Sequence, residues 1–266
     1  MSDRRSLTAA PKRVARAFVV ACVAMALVRA AEPDVRVLTS GAFTAALADL
    51  APVYERSTGE RIETAYGGSM GNAPDTIPNR LQRGEPADVV IMAASALDDL
   101  VARGAVVKGS RVDLARSAIG MAVRSGAPRP DISSVESLTH ALLDASSIAC
   151  SSSASGVYLS TELFPRLGIA ARIESKLRKV ESEPVGAVVA RGEAEIGFQQ
   201  ISELRPVKGI DIVGPLPPGA QRLTVFSAGI VAAALNPDGA RRFVAFLSSP
   251  AAAPAIQKSG LDPITH

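Results

Sequence analysis

The chain has 266 residues, of which 47% are hydrophobic and 21% charged, a composition typical of one large or two modest globular domains. Collagen-like, coiled-coil and low-complexity proteins are thereby excluded. Aromatic residues make up only 4% of the chain, which disfavours a stacking site for sugars or single-stranded nucleic acid. The formal net charge of +3 would favour a nucleic-acid partner only if the basic residues were spread over the whole chain.

Much of the basic excess lies in residues 1–30, which are typical of a secretory signal peptide. A basic segment precedes the apolar core 17–28, and Val28-Arg29-Ala30 places small residues at the cleavage positions. Removing this segment leaves 23 basic and 25 acidic residues, so the sequence no longer favours a nucleic-acid partner. Lipid attachment at Cys22 is less favoured, because it would leave the apolar segment 23–28 on the mature chain.

The remaining chain predicts a soluble periplasmic monomer. The apolar core of the signal is too short for a stable membrane anchor, and no later apolar segment reaches about eighteen residues. Cys150 is the only cysteine after the signal, so no intrachain disulfide is expected.

Short runs rich in β-branched residues alternate with helical patterns along the mature chain. In the first part, the spacing predicts strands at 35–39, 61–66 and 87–92, and helices at 41–58, 77–83 and 96–103. Ser95 is expected to cap the third of these helices. Three successive strand–helix units predict a parallel sheet with helices on its faces.

The same alternation continues in the second part of the chain. Strands are predicted at 117–123, 147–150, 176–180, 195–197 and 223–234, and helices at 134–143, 157–167, 184–191, 239–247 and 251–258. Ser134 and Asn236-Pro237-Asp238 are expected to open two of these helices.

Serines follow three of the predicted strands and precede helices, in Ser40-Gly41, Gly68-Ser69 and the segment 153–156. In open α/β sheets, loops in this position lie at the carboxyl ends of the strands, where ligands bind. Helix N-termini and serine hydroxyls could together hold an anion without any lysine or arginine. The alternative is that each serine only caps its helix.

The segment Gly67–Gly71 also matches the G-x-S-x-G turn of serine hydrolases. That chemistry needs a histidine, and the chain has only His140, on a predicted surface helix, and the terminal His266. A Gly-rich turn is therefore the favoured interpretation, and two histidines with one mature cysteine give no recognisable zinc site.

Gln199 and Gln200 follow the predicted strand 195–197. Two adjacent side chains cannot both face one side of a strand, so we expect at most one of them in a binding site, where an amide both donates and accepts. A solvated turn is the alternative.

Four segments together resemble the molybdate-binding-like periplasmic solute-binding proteins. They are 37–44 (VLTSGAFT), 83–89 (RGEPADV), 155–158 (SGVY) and 194–198 (AEIGF), of which RGEPADV is the most specific. The resemblance covers nearly the whole mature chain. It implies an α/β protein with the type II periplasmic binding fold, in which two lobes joined by two crossing strands enclose a ligand cleft.

On this resemblance, lobe 1 would comprise 31–116 with 224–266, and lobe 2 would comprise 117–223. The crossings would lie near 117–123 and 223–234. No cofactor and no metal are implied.

The resemblance also implies ligand-binding positions. They fall on Ser40 or Ala42, with Gly41 beside them, and on Ser69, Ser155, Val185 and the Phe198-Gln199 pair. Phe198 stands where the family has a tyrosine, and the loss of that hydroxyl group disfavours a tetrahedral oxyanion.

The segments 67–69 and 197–200 are similar to the aconitate isomerase branch of this family, which makes an organic carboxylate the more favoured ligand. We therefore expect a protein that captures a small anion for an ABC-type permease, or alternatively an isomerase that interconverts cis- and trans-aconitate. Arg80 is a candidate partner for a ligand carboxylate, although a solvated helix arginine is the simpler interpretation. No residue identifies itself as the catalytic base.

Overall fold

A computed structural model describes residues 34–264, so the predicted signal peptide and His266 lie outside the described residues. The strands are β1 Val35–Thr39, β2 Ile62–Tyr66, β3 Val89–Ala93, β4 Val112–Ser117, β5 Ile119–Arg124, β6 Ile148–Ser151, β7 Leu177–Val180, β8 Ile196–Gln200, β9 Ile210–Pro215, β10 Thr224–Ile230 and β11 Asp262–Pro263.

The α-helices are α1 Gly41–Thr58, α2 Ile77–Gln82, α3 Ala94–Ala102, α4 Val135–Asp144, α5 Ala154–Tyr158, α6 Phe164–Arg166, α7 Ala170–Ile173, α8 Val185–Ala190, α9 Ile201–Leu204, α10 Pro237–Leu247 and α11 Ala253–Lys258. A π-helical turn, Leu159–Leu163, joins α5 to α6, and a 3₁₀ turn, Glu174–Lys176, precedes β7.

The first sheet has six strands in the order β11-β4-β10-β3-β1-β2. Strands β2, β1 and β3 are parallel, as the three strand–helix units predict. The sheet as a whole is mixed, because β10 lies antiparallel between β3 and β4. The predicted parallel arrangement is therefore confirmed for these three strands, and the later strand β10 adds the antiparallel part of the sheet.

The second sheet has five strands in the order β7-β6-β8-β5-β9. Here β7, β6 and β8 are parallel to one another. Strand β5 lies between β8 and β9 and is antiparallel to both. Strand β9 was not among the strands predicted from the sequence.

The chain passes between the two sheets twice. The predicted strand 117–123 is interrupted at Ala118, so that β4 belongs to the first sheet and β5 to the second. The return runs through 216–223, and the predicted crossing at 223–234 is instead β10, which lies wholly within the first sheet.

The most specific sequence motif, RGEPADV, serves the fold. Asp88 is buried, and its carboxylate accepts hydrogen bonds from the backbone N–H of Arg36 at 2.7 Å and of Asn236 at 2.9 Å. Asn236 in turn caps α10 through the N–H of Gly239. A buried carboxylate with two backbone donors is well satisfied, so this motif joins three distant segments of the chain.

Local capping agrees with the sequence at two helices and differs at one. Ser134 and Asn236 accept hydrogen bonds at the starts of α4 and α10, as predicted. Ser95 does not cap α3, because that helix starts earlier, at Ala94, and Ser95 is exposed within its first turn.

Apolar side chains fill the spaces between the sheets and their helices. One face of α1 is buried, as the apolar side chains of Phe43, Leu47, Leu50 and Tyr54, which recur at helical spacing, all have exposures of at most 2%. Among residues 34–264 no helix has the length and hydropathy to span a membrane.

Candidate functional site

A cavity of about 430 Å³ lies where the carboxyl ends of strands from both sheets meet. The segments after β1 and β2 contribute Ser40 and Ser69, and the segment after β6 contributes Ser153 and Ser155. The three serine-bearing loops therefore meet at one cavity, which is the position expected for a ligand in an α/β protein.

The capping alternative for these serines is wrong. Ser40 and Ser153 stand at the N-caps of α1 and α5, yet neither side chain makes a capping hydrogen bond. Ser69 lies outside any helix, and Thr76 holds the N-cap position of α2.

Ser69 is oriented as a hydrogen-bond donor to the cavity. Its Oγ accepts from the backbone N–H of Ala93 at 2.9 Å, which leaves the hydroxyl hydrogen free to donate. Its own N–H donates to Ser153 Oγ at 3.2 Å, so the loops after β2 and β6 are joined directly.

A second hydrogen bond crosses the cavity between Ser182 Oγ and Asp75 Oδ1, at 2.9 Å. Ser182 has φ = 41°, in the left-handed region that non-glycine residues rarely adopt. The strained backbone places this hydroxyl group against the loop that precedes α2.

Four buried polar atoms at the cavity have no hydrogen-bond partner within the described chain. They are Ser40 Oγ, Thr76 Oγ1, Gln200 Oε1 and Ser202 Oγ. Leaving such groups unsatisfied costs about 1–3 kcal/mol each, whereas a bound polar ligand would satisfy them.

The charged side chains that line the cavity are all acidic. They are Asp75, Glu183 and Glu203, with no lysine, arginine or histidine among the described lining residues. Arg80 does not line the cavity, because its guanidinium group pairs with Glu85 and donates to the carbonyl oxygen of Tyr66 at 2.6 Å. Neutral donors, rather than a cation, would therefore contact an anion here.

The two glutamines differ from the sequence expectation. Strand β8 continues to Gln200, where the chain turns into α9, so both Gln199 and Gln200 are buried and both line the cavity. Val185 does not line it. Its backbone N–H donates to Gln199 Oε1 at 2.8 Å, so Val185 acts on the cavity only through Gln199.

Glu203, on α9, also lines the cavity and was not among the site residues predicted from the sequence. Its Oε1 accepts a hydrogen bond from Gln199 Nε2 at 3.0 Å. Burial of the carboxyl group raises its pKa to about 7, while hydrogen bonds from the Gln199 side chain and the Gln200 backbone act in the opposite direction. A cavity carboxyl group with this pKa can both accept and return a proton near neutral pH.

The described residues of the cavity lack the groups that a serine hydrolase or a zinc site would need. His140 is exposed on α4, away from Ser69, and no group of potential metal ligands occurs among residues 34–264. Burial raises the pKa of the Cys150 thiol to about 12, so this cysteine is not a nucleophile.

A family model of bacterial extracellular solute-binding proteins matches residues 35–262. The chain belongs to this family. The resemblance and the periplasmic binding fold expected from the sequence are thereby confirmed, and the family is one of extracellular proteins.

A Pseudomonas sp protein named aconitate isomerase is 52% identical to the chain over 237 residues, covering 88% of this chain and 90% of that protein. Among solved structures, the periplasmic molybdate-binding protein of Azotobacter vinelandii has a TM-score of 0.68 at 20% identity, covering 85% of this chain and 98% of that one. The sulfate-binding protein SubI of Mycobacterium tuberculosis has a TM-score of 0.66 at 16% identity, covering 88% of each chain. At these identities, the two structures support the fold alone.

Proposed function

We propose that the protein is a cofactor-independent aconitate isomerase in which Glu203 transfers the proton. The observation that carries this proposal is the partly buried carboxyl group of Glu203, with a pKa of about 7, in a cavity otherwise suited to binding an anion. The relative named aconitate isomerase supports the choice of substrate.

The reaction is a shift of one proton between two carbon atoms. Ionised Glu203 removes a proton from the methylene carbon of aconitate, and the electron pair spreads over the three-carbon unit and its carboxylates. The proton then returns to the former vinylic carbon, which moves the double bond to the other pair of carbons. Because the carbon skeleton is symmetric, the product is again aconitate, and no oxidant or reductant is needed. It is the other geometric isomer when the bound conformation about the former single bond sets the opposite geometry of the new double bond.

Neutral donors would hold the substrate carboxylates and the charge that develops on them. The hydroxyl group of Ser69 has its hydrogen free, and those of Ser40 and Ser202 are buried without a hydrogen-bond partner among residues 34–264. Ser40 also stands at the N-terminus of the 18-residue helix α1, whose dipole favours an anion.

Incubation of the purified protein with cis-aconitate, followed by proton NMR, tests the proposal. We expect trans-aconitate to form without added metal or cofactor. Glu203→Gln should lower the rate by at least about a hundredfold, the usual contribution of a general base, while the variant still melts at a higher temperature with aconitate than without. Unchanged cis-aconitate, or full activity in the variant, would refute the proposal.

Family membership favours a second candidate function, delivery of a small anion to an inner-membrane ABC permease from the periplasm. The predicted two lobes, 31–116 with 224–266 and 117–223, would then close about the ligand. Two passages of the chain between the sheets support this division.

Thermal melting with molybdate, sulfate, citrate and both aconitate isomers separates the two functions. A ligand at about a thousand times its dissociation constant adds roughly 4 kcal/mol to the stability of the folded state. A rise in melting temperature with molybdate alone would favour an oxyanion carrier and overturn the isomerase proposal. A rise with aconitate that is recovered chemically unchanged would favour a carboxylate carrier.

A further inference from the structure

The position of the Glu203 carboxyl group depends on two residues that carry no charge. We propose that Gln199 and Gly41 are positioning residues, which together fix this carboxyl group at the start of α1. The proposal rests on the proton-transfer role of Glu203 and adds to it the parts of the chain that hold the group in place.

Gln199 holds one oxygen of the carboxyl group. Its Oε1 accepts from the N–H of Val185 at 2.8 Å, and a backbone N–H can be paired only with an acceptor. The amide is therefore fixed with its NH₂ group toward Glu203, where Nε2 lies 3.0 Å from Oε1. Gln199 is 5% exposed, so water does not replace this donor readily.

Gly41 provides the space for the same oxygen. A Cβ atom at this position would lie 2.2 Å from Glu203 Oε1, well inside the contact distance of the two atoms. Gly41 is the first residue of α1, so the missing side chain lets the carboxyl group approach the positive end of this helix. Any other residue at position 41 would displace the carboxyl group, although Glu203 itself would be unchanged.

Ion pairs do not account for the position of the Glu203 carboxyl group. Helix α9 packs against α1, α8, β5 and β8, and no ion pair among the described residues includes Glu203. Of the other acidic groups at the cavity, Asp75 bonds to Ser182 and Glu183 pairs with Arg191. The polar groups that act on the carboxyl group are the Gln199 side chain and the Gln200 backbone N–H.

The test compares Gln199→Met with Gln221→Met. Gln221 also bridges backbone groups, the N–H and carbonyl of Ile119, but it lies outside the cavity, so its variant controls for a general loss of stability. Removal of a donor from the ionised form should raise the pKa of Glu203 by about one, which carbon-13 NMR of labelled glutamate measures directly. Below that pKa, the isomerisation rate should then fall about tenfold, while the rate at high pH changes less.

Gly41→Ala provides a second variant, because alanine at a helix start should not impair folding. We expect kcat to fall at least tenfold with little change in KM, and the carboxyl resonance of Glu203 to shift. An unaltered carboxyl resonance and pKa in both Gln199→Met and Gly41→Ala would overturn the proposal. If the wild-type protein does not isomerise aconitate, the NMR titration still reports on positioning, so the two proposals fail separately.

Discussion

Replacement of Glu203 by glutamine should stabilise the protein at alkaline pH, because a carboxyl group with a raised pKa opposes folding when it ionises. The pKa rises from an ordinary value of 4.5 to about 7 in the folded protein. The folded state therefore binds the proton more tightly than the unfolded state between these values, and stability falls as the pH rises through this window. Below about pH 4.5, the carboxyl group is protonated in both states, so its ionisation does not reduce the stability of the wild-type protein.

The structure gives the size of this effect. A difference of one in pKa corresponds to 1.36 kcal/mol, so the rise from 4.5 to about 7 sets an upper estimate of roughly 3 kcal/mol above neutral pH. Glu203 is partly accessible from the cavity, and solvent reduces the cost to about 1–3 kcal/mol. For a chain of this length, each kcal/mol corresponds to about 2–4 °C in melting temperature.

Urea unfolding of the wild-type protein and Glu203→Gln at pH 5 and pH 9 measures the difference. We expect near-equal stability at pH 5 and a more stable variant at pH 9. Glu193→Gln is a control, because Arg191 and Arg178 lower the pKa of Glu193 from 4.5 to about 2, so the difference between this variant and the wild-type protein should be the same at pH 5 and pH 9. Parallel pH dependence in the wild-type protein and Glu203→Gln would refute the argument.

Three further results are expected. Ser69→Ala should weaken aconitate binding, measured by calorimetry, by about tenfold or more, because it removes a donor to the ligand and the acceptor for the Ala93 N–H. Unchanged affinity would exclude Ser69 from the site. In urea unfolding, Ser182→Gly should have a free energy of unfolding about 1 kcal/mol higher than that of Ser182→Ala. Both variants lose the hydrogen bond to Asp75, but only glycine adopts the positive φ without strain. Equal stability would show that the backbone is not strained. Cys150 should react with iodoacetamide only after unfolding, and labelling of the native protein at pH 8 would contradict its burial.

The location of the site could be predicted from the sequence, because it follows from topology. Ser40, Ser69 and Ser155 each come shortly after a predicted strand, and parallel strands end at the same edge of a sheet. Their role could not be separated from helix capping, since that depends on which atoms the hydroxyl groups meet. Ser69 meets the N–H of Ala93, 24 residues away.

The chemistry of the site could not be predicted in the same way. Glu203 is an ordinary acidic residue on a four-residue helix, and its pKa is raised because the packing of α9 against α1, α8, β5 and β8 buries the carboxyl group. A partner for Arg80, Glu85, is present five residues along the chain. The sequence left Arg80 as a candidate for a ligand carboxylate beside the simpler interpretation of a helix arginine, and its local pairing agrees with the simpler one.

The place of β10 in the first sheet affects the order in which the protein can be assembled during synthesis. Strands β3 and β4 are consecutive in the chain, yet they pair with β10 rather than with each other. The six-stranded sheet therefore stays divided until residues 224–230 have been made, whereas every strand of the five-stranded sheet lies within 119–215. A nascent chain that stops before β10 also lacks β11, so one edge of β3 and both edges of β4 would be unpaired. Such edges promote aggregation.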